Sequence, residues 1–353
     1  MKDIAIFVKN LTSGGAEKQS VLLAKALSGY YQIHYIIFNG NKIHPKYMDL
    51  LKEDPRIQIQ SFIGGHLSRY NEFVTYLQKN NIRVIFSYLT AANFYACMAG
   101  RKVNAKVFTG LRNAQLPLLK CWADKLLTNS FAEKAISNSY SGKENFITKG
   151  FKSEKIIVIP NCFEHIKDYT QKKRKDKVHI ITVGRFVPQK DYETAIHAIA
   201  KLKKTYDNIV FDIVGYGNME TQVRKWIRQY VIDDITTIYI NPNNIAELLD
   251  QADIYISTSL FEGTSNSIME AMNADLPIVA TNVGDNGQLV QNQKNGFVTN
   301  KKDWKDIASK LAILIDNEEL SLNMGKQSKL FLSNNYSVEQ FRKSYLSILS
   351  SIE

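Results

Sequence analysis

Ser259-Leu260-Phe261-Glu262-Gly263-Thr264-Ser265-Asn266-Ser267-Ile268-Met269-Glu270-Ala271-Met272 joins a strand to a helix. The preceding Asp253-Ile254-Tyr255-Ile256-Ser257 is an apolar run of the kind buried in a parallel sheet. The apolar spacing of Ile268, Met269 and Met272 is helical. Glu262 therefore falls on the connecting loop and Glu270 one to two turns into the helix. A helix start offers free N–H groups and the positive end of a dipole, which suit a phosphate. Carboxylates accept hydrogen bonds from the vicinal hydroxyls of a ribose or hexose. Together these features describe a nucleotide-sugar site. Taken alone, the two glutamates read equally well as ordinary residues that complement the dipole, so the rest of the chain must decide.

The second half repeats the strand–turn–helix unit. Strands are expected at Val178–Val183, Ile209–Val214, Ile235–Ile240, Ile254–Ser257, Ile278–Ala280 and Phe297–Thr299, with a helix at Tyr192–Lys203. The first half does the same, with strands at Ile4–Val8, Ile33–Phe38, Val84–Phe86, Ala105–Thr109, Lys125–Thr128 and Ile156–Ile159. Its clearest helices are Ala16–Leu27 and Asn71–Asn80. Such alternation predicts an α/β chain of two Rossmann-like domains, with ligands at the carboxyl ends of the strands in an interdomain cleft. The expected boundaries are 1–164, a linker at 165–177, a second domain at 178–335 and a terminal helix at 336–353. The linker contains the charged, aperiodic run Gln171-Lys172-Lys173-Arg174-Lys175-Asp176-Lys177 and reads as solvated. Ser337 is the expected N-cap of a terminal helix with Phe341, Tyr345, Leu346 and Leu349 at helical spacing, an apolar face that could return to the first domain, which sequence alone does not settle.

Composition narrows the function. The chain has 353 residues, 44% of them hydrophobic, and no run near the ~20 apolar residues of a membrane span. Its first apolar stretch is too short for a signal peptide. Cys97, Cys121 and Cys162 are odd in number and widely spaced, which argues for a reducing compartment over a disulfide framework. Histidine and cysteine spacing gives no metal site. The net charge of +11 is uneven: residues 1–165 hold 22 Lys and Arg against 11 Asp and Glu, whereas 166–353 hold 23 of each. No nucleic-acid-binding signature accompanies the basic half, which leaves solvated surface or an anionic membrane as its meaning.

Further segments carry chemistry. Thr12-Ser13-Gly14-Gly15-Ala16-Glu17-Lys18 opens the first helix with two glycines, which suits a phosphate or an acceptor hydroxyl, and it is neither G-x-G-x-x-G nor a P-loop. Val183-Gly184-Arg185 leaves a strand and Lys190 precedes the next helix, so two cations converge above strand ends where they would neutralise a diphosphate. Gly215-Tyr216-Gly217 ends a strand without the third glycine of a dinucleotide fingerprint. Ile240-Asn241-Pro242 ends another, where backbone groups would face a nucleobase.

In order and spacing, Gly14-Gly15-Ala16-Glu17-Lys18, Pro160-Asn161, Val183-Gly184-Arg185 with Lys190, Gly215-x-Gly217, Ala252-Asp253 and Glu262-x7-Glu270 resemble the retaining glycosyltransferases of family 4, which have the GT-B fold. The resemblance spans nearly the whole chain and is strongest from Val178 to Gly296. It implies that Arg185 and Lys190 bind the donor diphosphate, with Gly184 and Gly215 lining the turns around it. Glu270 would hold the ribose, and Ile240 would lie at the base. Glu262 and the backbone of Gly263, Thr264, Ser265, Asn266 and Ser267 would meet the donor sugar and phosphate, and Gly15 would bring its N–H to the phosphate or acceptor. It implies no required metal or cofactor, and retention by a front-face route in which the departing phosphate helps deprotonate the acceptor.

The family's frequent first-domain histidine has no counterpart in Thr109-Gly110-Leu111-Arg112-Asn113, so Arg112 or Asn113 is expected in its place. Pro160-Asn161-Cys162-Phe163 also departs from the usual Pro-Asn-Gly-Val. The expected activity is transfer of a hexose or N-acetylhexosamine from a UDP-sugar to a lipid-linked glycan acceptor. The chain would then be cytoplasmic and peripheral at the inner leaflet, in cell-surface polysaccharide synthesis. A GDP-mannose-dependent mannosyltransferase, a UDP-sugar epimerase and a non-catalytic nucleotide-sugar-binding subunit are the alternatives.

Overall fold

The computed structural model describes residues 2–12, 14–112, 117–170 and 176–352. The chain divides into two units, one of residues 1–164 and 338–353 and the other of residues 165–337. Unit one runs β1 (Asp3–Val8), α1 (Gly15–Leu27), β2 (Gln32–Ile37), α2 (Pro45–Lys52), β3 (Ile57–Ser61), α3 (His66–Lys79), β4 (Val84–Tyr88), α4 (Thr90–Val103), β5 (Lys106–Leu111), α5 (Leu118–Ser130), β6 (Lys134–Ser137), α6 (Tyr140–Thr148) and β7 (Ile156–Val158). Unit two runs β8 (Val178–Val183), α7 (Tyr192–Lys203), β9 (Ile209–Gly215), α8 (Glu220–Gln229), β10 (Thr236–Ile240), α9 (Ile245–Gln251), β11 (Ile254–Ser257), α10 (Asn266–Asn273), β12 (Ile278–Thr281), α11 (Asn286–Leu289), β13 (Gly296–Thr299), α12 (Trp304–Asp316) and α13 (Glu318–Tyr336). The last helix, α14 (Val338–Ser350), belongs to unit one.

Among the described residues each unit is a parallel sheet, ordered β3-β2-β1-β4-β5-β6-β7 in unit one and β10-β9-β8-β11-β12-β13 in unit two. The strand order reverses direction between β1 and β4, and again between β8 and β11. Connections there leave to opposite faces and open a crevice at the carboxyl ends. Central strands such as β8 are apolar on both faces because helices cover both. Helix α7 turns Ala195, Ile196, Ile199 and Leu202 onto that sheet at helical spacing. In unit one, Phe341, Tyr345 and Leu349 of α14 share a core with Leu23 and Leu27 of α1 and with Phe86 and Phe108.

Three expectations change. Lys125–Thr128 is not a strand but the last third of α5. A short apolar run has no period of its own, and the strand of this unit lies later, at β6. The strand β3 was also not foreseen; its alternation Ile57-Gln58-Ile59-Gln60 is that of an edge strand with one wet face. Finally, the stretch read as linker is fastened to unit two before the undescribed residues 171–175. Lys167 N–H donates to Asn273 Oδ1 (2.9 Å), Asn273 Nδ2 to the His165 carbonyl (3.1 Å), and Lys329 Nζ to the Lys167 carbonyl (3.0 Å).

Candidate functional site

In unit two the opening motif lies where expected, on the connection from β11 to α10 at the switch in strand order. Ser265 caps α10, accepting from Ile268 N–H at 3.5 Å, and Met269 N–H bonds the Ser265 carbonyl. The N–H groups of Asn266 and Ser267 then have no acceptor among the described residues, as the first turn of a helix requires. Glu262 is held by three side chains. Lys190 Nζ pairs with its Oε1 at 2.6 Å, Ser259 Oγ donates to the same oxygen at 2.7 Å, and Gln189 Nε2 reaches Oε2 at 3.4 Å. The Lys190–Glu262 pair is largely buried, with side-chain exposures of 16% and 10%.

That pairing gives one of the two expected cations a protein partner. Lys190 is already neutralised by Glu262, whereas the exposed Arg185 side chain makes no hydrogen bond or ion pair among the described residues. Both loops are locked together around the pair. Leu260 N–H donates to the Gln189 carbonyl, Gln189 Nε2 to the Phe261 carbonyl, and Thr258 Oγ1 to the carbonyls of Lys190 and Asp191. A third loop supports them from beneath. Gly284, at φ +56°, lies so close that a Cβ there would sit 2.1 Å from the Glu262 carbonyl oxygen. Asp285 N–H donates to the Gly263 carbonyl (3.2 Å), and Thr264 Oγ1 bonds Asp285 Oδ2 (3.3 Å).

Under the site lies Tyr255, fully buried on β11. Burial pushes its hydroxyl well above the ordinary tyrosine range, so it stays protonated and donates to the Val183 carbonyl (3.3 Å). Ser267 bonds its oxygen, and the charges of Glu270 and Glu262 both act on it. One buried hydroxyl thus marks the point on which Ser267, Glu270 and Glu262 converge. Glu270 is half-buried, on the face of α10 that it shares with Ser267. Gly184 and Gly215 bring the ends of β8 and β9 together. A Cβ on Gly215 would sit 1.9 Å from the Gly184 carbonyl oxygen, so this glycine is required by strand packing. Ile240 ends β10 half exposed, with Asn241 N–H on the Gly215 carbonyl. Gln189, Ser259, Tyr255, Gly284 and Asp285 were not foreseen. Only the spacing of Ser259, three residues before Glu262, carried a local signal.

In unit one the carboxyl ends of β1 and β4 open a pocket of about 510 Å³, lined by Lys9, Asn10, Glu17, Tyr88, Thr90 and Lys120 among others. Glu17 folds back over its own helix start, accepting from Thr12 Oγ1 at 2.8 Å, and a Cβ on Gly14 would collide with it at 2.4 Å. Gly14 therefore makes room for Glu17, whereas a Cβ on Gly15 would meet nothing within 4 Å. Ser13 and Asn113 lie outside the described residues. Arg112 follows β5 and is committed to protein groups. Its guanidinium lies 4.6 Å over the Tyr88 ring and donates to Asn161 Oδ1 (3.1 Å) and to the Tyr345 hydroxyl (3.4 Å), tying α14 to the Pro160-Asn161 turn. That turn is fixed to α1 by a reciprocal pair, Gln19 Nε2 to the Cys162 carbonyl and Cys162 N–H to Gln19 Oε1, both 3.0 Å. Burial pushes the Cys162 thiol up to about 12, so it is an inert packing residue.

Residues 165–331, nearly all of unit two, match the family described as Glycosyl transferases group 1. The fold is that of GT-B glycosyltransferases, with two parallel-sheet Rossmann-like units, and the matches support a glycosyltransferase. Among particular relatives, the chain is 27% identical to an uncharacterized glycosyltransferase of Haemophilus influenzae, over 99% of this chain and 100% of that protein. It is 26% identical to the poly(ribitol-phosphate) alpha-N-acetylglucosaminyltransferase of Staphylococcus aureus, over 58% of this chain and 41% of that protein. Among solved structures, Anabaena Alr3699/HepE in complex with UDP superposes with a TM-score of 0.82 at 19% identity, covering 99% of this chain and all of that one. The lipopolysaccharide outer core galactosyltransferase WaaB gives 0.80 at 18%, covering 99% of each chain.

Proposed function

We infer that this chain moves a hexose or N-acetylhexosamine from a UDP-sugar to a hydroxyl of a lipid-linked glycan acceptor, with retention of configuration and no required metal, in the manner of the retaining family 4 enzymes. The observation that carries the reading is the convergence on one crevice of unit two. There Arg185 and the Asn266 and Ser267 N–H groups of α10, all without a partner among the described residues, lie with the carboxylates of Glu262 and Glu270 at the ends of β8 and β11. The donor diphosphate would lie on Arg185 and on the Asn266 and Ser267 N–H groups, with Lys190 shared between phosphate and Glu262. Glu270 would accept from the ribose hydroxyls and Glu262 would meet the sugar. The bond from the anomeric carbon to the phosphate oxygen breaks as the bond to the acceptor oxygen forms on the same face. The acceptor proton passes to the departing phosphate, whose charge these donors stabilise.

The pocket of unit one, with Glu17 and Lys9, is the natural seat for the acceptor hydroxyl. Preference for UDP draws support from the UDP-bound neighbour, and an N-acetylhexosamine from the staphylococcal relative. No helix among the described residues is long and apolar enough to cross a membrane. Action on a lipid-linked acceptor would then place the enzyme peripherally, at the cytoplasmic face.

The test is a thermal-shift and turnover series with UDP-glucose, UDP-N-acetylglucosamine and GDP-mannose on the parent and on Glu270→Ala. A UDP-sugar should raise the melting temperature of the parent and not of the variant, and product analysis by nuclear magnetic resonance should show the donor's anomeric configuration kept. Response to GDP-mannose alone would move the donor assignment. Conversion of donor to an epimer without acceptor would make the enzyme an epimerase. Wild-type turnover by Glu270→Ala would overturn the site.

A further inference from the structure

The outer face of α5 is built unlike that of a soluble helix. Leu118, Leu119, Trp122 and Leu126 are 89%, 84%, 61% and 43% exposed. At ~100° per residue they fall within an arc of about 100°. The opposite face carries the buried Cys121, Asp124, Leu127 and Thr128, so the helix is docked correctly and its apolar stripe is surplus to the core. Beside it, α3 and α4 form an open apolar groove of about 600 Å³, in which Leu67, Tyr70, Phe94 and Met98 lie with Arg101 and Lys102 at the rim. Lys102 Nζ rests 4.9 Å over the Tyr70 ring. Phe94 and Tyr95 line both this groove and the pocket at the ends of β1 and β4, so the apolar surface is continuous with the seat proposed for the acceptor.

Charge selects the occupant. At the surface, helices α3, α4 and α5 hold Lys79, Arg101, Lys102, Lys120 and Lys125 against Glu72, while Arg69 and Asp124 are buried. Unit one as a whole holds 24 Lys and Arg against 13 Asp and Glu, and unit two 21 of each, so the entire +11 sits on unit one. An apolar stripe with Trp and Leu, flanked by cations, matches the interfacial zone of an anionic bilayer. Protein–protein interfaces are depleted in lysine, whereas Lys102, Lys120 and Lys125 lie on these helices.

We propose that the α5 stripe with the α3–α4 groove is the face on which unit one lies on an anionic lipid bilayer, sinking Leu118, Leu119, Trp122 and Leu126 to the headgroup level. This deepens the lipid-linked acceptor reading by naming the surface that brings the pocket to the leaflet. The experiment needs no sugar transfer, so the two stand or fall separately.

The full chain is sedimented with vesicles of phosphatidylcholine alone and with 30% phosphatidylglycerol (a chosen composition, roughly that of an anionic leaflet). Trp122 fluorescence is followed in a Trp226→Phe/Trp304→Phe background. Binding to the anionic vesicles with a blue shift of Trp122, weakened roughly tenfold or more by Leu119→Ser/Trp122→Ser, is the expected result. Arg101→Glu/Lys102→Glu should weaken it as well, while melting temperature and UDP response stay at parent values. Equal binding by the double serine variant, or no binding to either vesicle, overturns the proposal. So does a parent that dimerises in solution through this face, with the variant monomeric and neither binding lipid.

Discussion

Replacing Gly284 with alanine tests whether packing beneath the carboxylate loop positions Glu262. The backbone at Gly284 has φ +56°, a conformation that costs an L-residue about 1–2 kcal/mol. The added Cβ would stand 2.1 Å from the Glu262 carbonyl oxygen and 2.6 Å from its carbonyl carbon. Relief needs the loop to retreat by about 1 Å. Because Asp285 N–H holds the Gly263 carbonyl from the next position, that retreat also stretches a bond worth about 1 kcal/mol. The sum, about 2–3 kcal/mol, lowers the melting temperature by roughly 5–10 °C for a unit of this size. A shift of about 1 Å in Glu262 should cost roughly a hundredfold in sugar transfer. Differential scanning calorimetry and a UDP-release assay read the two effects. The matched control is Gly15→Ala, where a Cβ meets open space. Its stability should be unchanged or slightly raised, and any loss of transfer must come from a ligand packing there. Parent-like melting and turnover in Gly284→Ala would refute the reasoning.

Further outcomes follow from single contacts. Arg185→Ala removes a side chain without a protein partner among the described residues, so stability should move by less than about 0.5 kcal/mol. UDP affinity should meanwhile fall about tenfold or more by calorimetric titration. Lys329→Met strips the buried cation that bonds the Asn273 and Lys167 carbonyls and pairs with Asp275 at 3.4 Å. It should cost about 3 kcal/mol, seen as a lower urea midpoint. Asp124 is buried, and this raises its carboxyl despite the lowering bonds from Thr90 and Asn93. A folded value above the unfolded one means its contribution is fully present below about pH 4 and is lost as pH rises through the raised value. Asp124→Asn should therefore gain on the parent as pH rises over that window, in melts taken from pH 4 to 8.

What the chain order alone determined is the local chemistry. Apolar runs with no alternation require strands buried on both faces, and the turns after them place Arg185, Glu262 and the start of α10 at carboxyl ends. These follow from periodicity and turn residues, which act over a few positions. Where local signal is short it misleads. Lys125–Thr128 suits strand or helix, and only its packing, with Leu127 inward and Leu126 outward, makes it part of α5.

The tertiary structure decided the pairings. Lys190 and Glu262 are 72 positions apart, and nothing in either segment announces that one neutralises the other. Sheet order sets β8 beside β11 and brings their loops together. The same holds for Arg112, expected in place of the family's histidine, with its bonds to Asn161 and Tyr345, and for Gly284 beneath Glu262. Residue types along the chain state which chemistry is present. Which charge is spent on a protein partner and which is left for a ligand depends on distances that only the packed sheets set.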